Sequence, residues 1–225
     1  MGNREPIVTI DGPAGAGKGT VARRLADRLG YRLLDTGSMY RALALSVAAA
    51  GLAPEDTPQL RGHLATTRVT LRDDRVFVND RDVTGEIRTP EIGALTSRLT
   101  TLAPVREKIT PLQREMAALG GVVLEGRDTG TVVCPDADVK FYLDASLETR
   151  ARRRQAEYAE RGVHMDLDAV RAEIAARDLQ DTTRVLAPLR RADDAIVVDT
   201  TSMTVDEVVA TMQVEVERRR CSTRS

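Results

Sequence analysis

At 225 residues, with 42% hydrophobic residues, the chain is long enough for one domain with appended subdomains and a substantial core. A formal net charge of -1 argues against a nucleic-acid or membrane-surface protein, whose mark would be a strong basic excess. The two cysteines, Cys134 and Cys221, fit neither a disulfide framework nor a zinc spacing, which suits a reducing cytosol, and neither a signal peptide nor a bilayer-long apolar run is expected.

The first element is a short β-branched run, Ile7 to Ile10, which reads as a buried strand. It leads into Gly12, Pro13, Ala14, Gly15, Ala16, Gly17 and Lys18, a G-x-x-x-x-G-K phosphate-binding loop. Glycines let successive backbone N–H groups turn toward one anion, and the helix opening near Lys18 adds its positive end. Lys18 supplies a mobile charge for the outer phosphates. Gly19 stands where a hydroxyl usually follows the lysine, so Thr20 is the candidate near a metal ion, directly or through water. The ending Gly-Lys-Gly-Thr resembles nucleoside monophosphate kinases more than GTPases. The bland alternative is a glycine-rich turn without a ligand.

A helix follows through Val21, Leu25 and Leu29, ended by Gly30. Tyr31 to Leu34 is a strand. The turn Asp35-Thr-Gly-Ser-Met-Tyr-Arg41 opens a helix from about Ser38 to Ala50, with Ser38 as its expected N-cap. Arg41 then falls in the first turn, where a cation is disfavoured by the dipole unless it serves a ligand such as phosphate. Leu52 to Thr67 reads as a loop and a short helix. Val69–Leu71 and Val76–Val78 flank Arg72-Asp-Asp-Arg75 as a β-hairpin, with a third short strand after Asn79-Asp80. Helices are expected from Glu91 to about Thr101 and from Pro104 to Leu119.

Val122 to Leu124 is a second buried strand, and Glu125 at its end is where phosphate-loop enzymes hold the magnesium shell. Cys134 follows another strand-like run. Val139 to Leu143 is a further strand, and Asp144-Ala-Ser146 caps a long helix carrying Arg150, Arg152, Arg153 and Arg154, broken at Gly162. Leu167 to Gln180 is helical, with Arg177, Asp181 and Arg184 at or past its end. Ala195 to Val198 is the last strand and Val205 to Arg219 the last helix, with a frayed tail after Arg220. Lys18, Lys108 and Lys140 are the only lysines, so any second phosphate site must be built from arginine. Alternating strands and helices behind a phosphate loop predict an α/β fold. It is a parallel sheet with right-handed crossovers, its ligands beyond the C-terminal strand ends.

These residues together resemble bacterial cytidylate (CMP) kinases over almost the whole chain. The match rests on Gly12-Pro-Ala-Gly-Ala-Gly-Lys-Gly-Thr20, Asp35-Thr-Gly-Ser-Met-Tyr-Arg41 and Glu125-Gly-Arg-Asp-Thr-Gly-Thr-Val-Val133. Asp82-Val-Thr-Gly-Glu-Ile-Arg88 and the segment Arg177 to Leu189 extend it. The phosphate loop alone marks only a superfamily; the second and third runs are far more specific. The resemblance implies a core of about 1–37, 120–148 and 182–225. It adds a monophosphate-binding insert of about 38–119, with a small antiparallel sheet at 67–88, and a helical lid of about 149–181.

The activity implied is ATP-dependent, magnesium-assisted phosphorylation of CMP and dCMP by a cytoplasmic monomer, without nucleic acid or membrane. The loop, Lys18 and Arg153 fall on the ATP side. Thr36, Ser97, Arg106 and Asp128 fall on the acceptor side, the last three reading cytosine. Arg177 and Asp181 contact the sugar, and Arg41, Arg127 and Arg184 hold the acceptor phosphate. Lys18, Arg127, Arg153 and Arg184 are the catalytic set, and Thr20 and Glu125 the metal candidates. Thr36 stands where serine is frequent and Glu125 where aspartate is, leaving open whether Glu125 reaches magnesium directly or through water. His63 and His164 match no catalytic position and read as surface residues. The alternatives are another small-molecule kinase of this scaffold, using UMP or a different acceptor, and a nucleotide-binding switch. A GTPase should carry Asn-Lys-x-Asp, and the lysines form no such motif.

Overall fold

The computed structural model describes residues 4–72, 74–160 and 162–222. Asp73 of the expected hairpin turn and the last three residues of the tail lie outside the described residues. Five strands form one sheet: β1 (Ile7–Asp11), β2 (Arg32–Asp35), β6 (Val122–Glu125), β7 (Val139–Asp144) and β8 (Ile196–Asp199), in the order β2-β6-β1-β7-β8. β1 runs parallel to β6 with Ile7 beside Val122, and parallel to β7 with Val8 beside Val139. All five residues of β1 are buried, as its near-continuous apolar character requires of a strand covered on both faces. α1 (Lys18–Leu29) and α8 (Val205–Ser222) pack on this sheet. Val21 and Leu25 of α1 and Val208, Met212 and Val216 of α8 share a core with Val8, Ile10, Val123, Phe141 and Leu143. Each such side chain contributes about 1.5–3 kcal/mol on burial.

A second, three-stranded antiparallel sheet comprises β3 (Val69–Arg72), β4 (Arg75–Val78) and β5 (Arg81–Asp82). The remaining helices are α2 (Thr36–Ala49), α3 (Pro58–Thr66), α4 (Pro90–Leu99), α5 (Ala103–Ala117), α6 (Leu147–Glu160) and α7 (Leu167–Thr183). The chain divides into two compact units, residues 1–33 with 117–225, and residues 34–116.

Three local expectations are corrected. Asp35, not Ser38, caps α2: its carboxylate accepts from Ser38 N at 2.9 Å, while the Ser38 hydroxyl donates to Asp35 O at 2.7 Å. The helix therefore starts at Thr36, and Arg41 lies in its second turn, where the dipole argument against a cation fades. The strand-like run before Cys134 is instead a single π-helical turn, Thr129–Val133. The last helix continues past Arg220 to Ser222 instead of fraying there.

Every strand of the large sheet closes on a carboxylate: Asp11, Asp35, Glu125, Asp144 and Asp199. Most of these acids hold backbone that has just left the sheet. Asp144 accepts from Ala145 N at 2.8 Å, and Asp199 from Thr201 N at 2.9 Å.

Candidate functional site

The phosphate loop is held from both sides within the larger unit. A side chain at Gly12 would put its Cβ 2.0 Å from Leu143 O, and one at Gly15 would meet Arg150 O at 2.9 Å. Only glycine, at φ of 150° and 76°, lets β7 and α6 approach this closely. Arg150 of α6 donates to Ala14 O at 3.0 Å and pairs with Asp178 of α7, which accepts from Ala14 N at 3.2 Å. Two helices thus anchor one loop residue through its carbonyl and its N–H.

Lys18 opens α1 and is buried, its ammonium donating to Pro13 O at 2.7 Å across the loop. Burial pushes its pKa down to about 7; Arg127 and Arg177 push the same way, and Glu125 and Asp11 oppose them. Glu125 is half-buried, and its Oε2 lies 3.9 Å from where a Cβ on Gly19 would sit. Thr20 is exposed. Among the described residues no three His, Cys, Asp or Glu side chains cluster as a metal cage. A hydroxyl and one carboxylate suit magnesium, which keeps most of its shell as water and phosphate oxygen.

Arg153 of α6 donates to Thr200 Oγ1 at 2.9 Å and Thr200 O at 2.6 Å, and a Cβ on Gly17 would lie 3.8 Å from its Nη1. Its neighbours have partners as well: Arg152 pairs with Glu148 at 2.8 Å, and Arg154 pairs with Glu157 at 2.9 Å and lies over the Tyr158 ring. Each of Arg152, Arg153 and Arg154 therefore has a partner within the fold.

Four of the expected acceptor residues meet in one chain of ion pairs. Arg127 Nε lies 3.0 Å from Asp181 Oδ2, Arg184 Nη1 lies 3.5 Å from Asp181 Oδ1, and Arg184 Nη2 lies 3.7 Å from Asp128 Oδ1. Burial works against the charge of Arg127, but Asp181 and Glu125 outweigh it and hold the guanidinium above its usual range. Arg184 also donates to Ala187 O at 2.7 Å. Asp128 thus pairs with Arg184, while its chain neighbour Arg127 pairs with Asp181. Arg177 is half-buried on α7.

Asp11 carries no role in the sequence reading, yet it is buried at the end of β1 and its carboxyl is raised above the usual range by that burial. Oδ1 accepts from Thr129 N and Oγ1 at 2.9 and 2.8 Å, and Oδ2 from Gly130 N at 2.8 Å. The signal available was the recurring acid at strand ends.

In the smaller unit, Thr36 is buried and Arg41 half-buried on α2, and half-buried Ser97 on α4 donates to Gly93 O at 3.3 Å. Arg106 of α5 is buried over the Tyr40 ring, 5.7 Å from its centroid, and donates to Thr100 O at 3.4 Å. Burial and a ring face restrain this guanidinium. His164 is exposed, but His63 is half-buried and 2.8 Å from Ser46 Oγ, which corrects its reading as a surface residue.

The family model described as cytidylate kinase matches residues 8–218. The chain belongs to the cytidylate kinase family. It is 50% identical over 226 residues to the cytidylate kinase of Geobacter sulfurreducens, covering 99% of this chain and 97% of that protein. It is 45% identical to the cytidylate kinase of Thermotoga neapolitana, covering 94% and 97%. A solved structure of an uncharacterized protein from Eubacterium ventriosum is 12% identical with a TM-score of 0.52, covering 95% of this chain and 99% of that one; it supports the fold alone. Among the described residues no helix is long and apolar enough to cross a membrane.

Proposed function

We propose that this chain transfers the terminal phosphoryl group of ATP to CMP and dCMP, forming CDP and dCDP. The observation that carries the reading is the cytidylate kinase family match across residues 8–218. The phosphate loop and Lys18 receive ATP, and Arg153 reaches it from α6. Magnesium, held by Thr20 and Glu125 directly or through water, supplies charge neutralisation on the phosphates when bound. Residues 1–37, 120–148 and 182–225 form the core, 38–119 the monophosphate-binding insert with its small sheet at 67–88, and 149–181 a lid. A lid that excludes water limits hydrolysis of ATP. The reading needs one chain only and places it in the cytoplasm, where ATP and monophosphates are available.

Arg41, Arg127 and Arg184 act on the acceptor phosphate. Arginine forks suit bidentate phosphate contact, and phosphoryl transfer asks for alignment and charge stabilisation more than for a base. Thr36 lies on the acceptor side. Arg177 and Asp181 contact the sugar. Cytosine presents an amino donor at position 4 and acceptors at N3 and O2, and uracil reverses the first two. A carboxylate, an arginine and a hydroxyl match the cytosine pattern, and Asp128, Arg106 and Ser97 supply them.

The test is ADP release against CMP, dCMP, UMP, AMP, dTMP and shikimate, for the parent and Asp128→Ala. CMP and dCMP should lead in the parent. Asp128→Ala should cut kcat/KM for CMP and narrow the CMP-to-UMP ratio by roughly ten- to a hundredfold, the effect of one unmatched buried polar group. A parent that prefers another acceptor overturns the reading.

A further inference from the structure

The run Arg127-Asp128 leaves β6 through Glu125 and Gly126 and enters the π-helical turn directly. Val132 N and Val133 N both donate to Asp128 O, at 2.9 and 3.1 Å, so the backbone of Asp128 is the first acceptor of that turn. Wherever the turn sits, the Arg127 and Asp128 side chains are aimed accordingly. Single π-turns recur at functional sites because they redirect side chains within a short span.

Two independent features fix the turn against β1. The first is the set of three bonds to the Asp11 carboxylate from Thr129 N, Thr129 Oγ1 and Gly130 N. The second is steric: a Cβ on Gly130 would lie 2.8 Å from Thr9 Oγ1, 3.3 Å from Lys140 Cδ and 3.4 Å from Asp11 Oδ2. Thr9 and Asp11 belong to β1 and Lys140 to β7, so the turn packs against two neighbouring central strands. The carboxylate spans 118 residues of sequence to do this, and it is buried at 4% exposure.

We propose that Asp11 is a positioning residue for the acceptor, setting the aim of Arg127 and Asp128 through the Thr129–Gly130 backbone. It touches neither substrate. It holds the arginine and the acid where they meet Asp181 and Arg184, so that the acceptor finds both in place. The role rests on the functional reading above, because Arg127 and Asp128 are there assigned to the monophosphate. A carboxylate is required, since its two oxygens accept all three bonds; an amide turns one acceptor into a donor facing Gly130 N–H.

Asp11→Asn should raise KM for CMP and narrow the CMP-to-UMP ratio of kcat/KM, each by roughly tenfold, with kcat at saturating CMP falling less. Gly130→Ala should do the same by lifting the turn, while leaving the Asp11 charge near Lys18 intact. That variant separates positioning from any electrostatic effect on the phosphate loop. Thr129→Val, which removes one bond without changing shape, should move the same parameters by a smaller factor and stands in if either variant fails to fold. Binding of a non-hydrolysable ATP analogue should change by less than about threefold in all of them. An unchanged CMP-to-UMP ratio in folded variants of an active parent overturns the positioning role alone. A parent idle with CMP overturns the functional reading, and this role with it.

Discussion

Lys18, which is buried, and the largely buried Arg127 and Arg184 are cations of one compact unit whose charges meet opposite surroundings. Lys18 donates to a backbone carbonyl and has arginines as well as acids around it, so burial wins and its pKa falls to about 7. Arg127 and Arg184 share Asp181, and Arg184 also faces Asp128, so their charges are compensated before any ligand arrives. An anion at Lys18 relieves an existing penalty, whereas an anion at the arginines competes with acids already in place. The first arrangement favours tight binding of a polyphosphate. The second favours exchange, in which an incoming anion takes over guanidinium groups that are already oriented.

The sharpest way to break the contrast is Lys18→Met. Loss of the charge should lower kcat by about a hundredfold or more, since such stabilisation is worth several kcal/mol in a dry site. The same change should raise the melting temperature of the unliganded protein. The sign follows from linkage: the lysine binds its proton more weakly folded, at about 7, than unfolded, at the ordinary 10.5. Burying it therefore costs stability in full below pH 7, and the cost shrinks as pH rises from 7 toward 10.5. The stability gain of the variant should shrink over that same window. A variant both active and no more stable would refute the account of Lys18.

At the arginines the sign reverses. Asp181→Asn leaves two guanidinium groups with one acid fewer, and breaking a buried pair in this way costs about 3–5 kcal/mol. Denaturant unfolding should show that loss, alongside a raised KM for CMP. Stability equal to the parent's would mean that the pairs contribute nothing and that the cluster is not pre-compensated.

How much of this was legible in the sequence follows from distance along the chain. The phosphate loop, its flanking strand and helix, and the hairpin at Val69–Val78 are local patterns, and the fold follows them. Lys18 was legible for the same reason. Arg127, Asp128, Asp181 and Arg184 could be named as a group from the family motif, but not their pairing: Arg127 bonds a carboxylate 54 residues away. Thr129–Val133, with two valines, carries strand propensity, and the Asp11 carboxylate that bends it into a turn comes from the first strand. Both Asp35 and Ser38 are good caps, so only the geometry chooses between them.

A gentler readout of the same variant is proton uptake on binding. If Lys18 is half-protonated near pH 7 and fully charged against phosphate, ATP-analogue binding at pH 7 should take up about half a proton more in the parent than in Lys18→Met. The difference should grow toward one proton near pH 8 and fade near pH 6. Calorimetry in buffers of different ionisation enthalpy measures it. Equal uptake by parent and variant at every pH would place the lysine fully charged before binding.

Arg153 lies between the two regimes and gives the smallest expected effect. Like Arg127 and Arg184 it has partners, but they are neutral: the hydroxyl and carbonyl of Thr200, at 2.9 and 2.6 Å. Thr200 is itself buried and bonded to Asp144 O, so this link fastens α6 to the end of β8 as well as placing a guanidinium beside Gly17. Arg153→Ala should therefore cost about 1 kcal/mol of stability, the net worth of ordinary hydrogen bonds, which lowers the melting temperature by roughly 2–4 °C at this chain length. It should also raise KM for ATP by about tenfold while KM for CMP stays within error, because its guanidinium lies beside Gly17 of the phosphate loop. Arg153→Lys keeps the charge but loses the fork, and should recover part of the ATP effect and little of the stability. A loss of stability with ATP kinetics untouched would make Arg153 a brace to Thr200 and remove it from the ATP site.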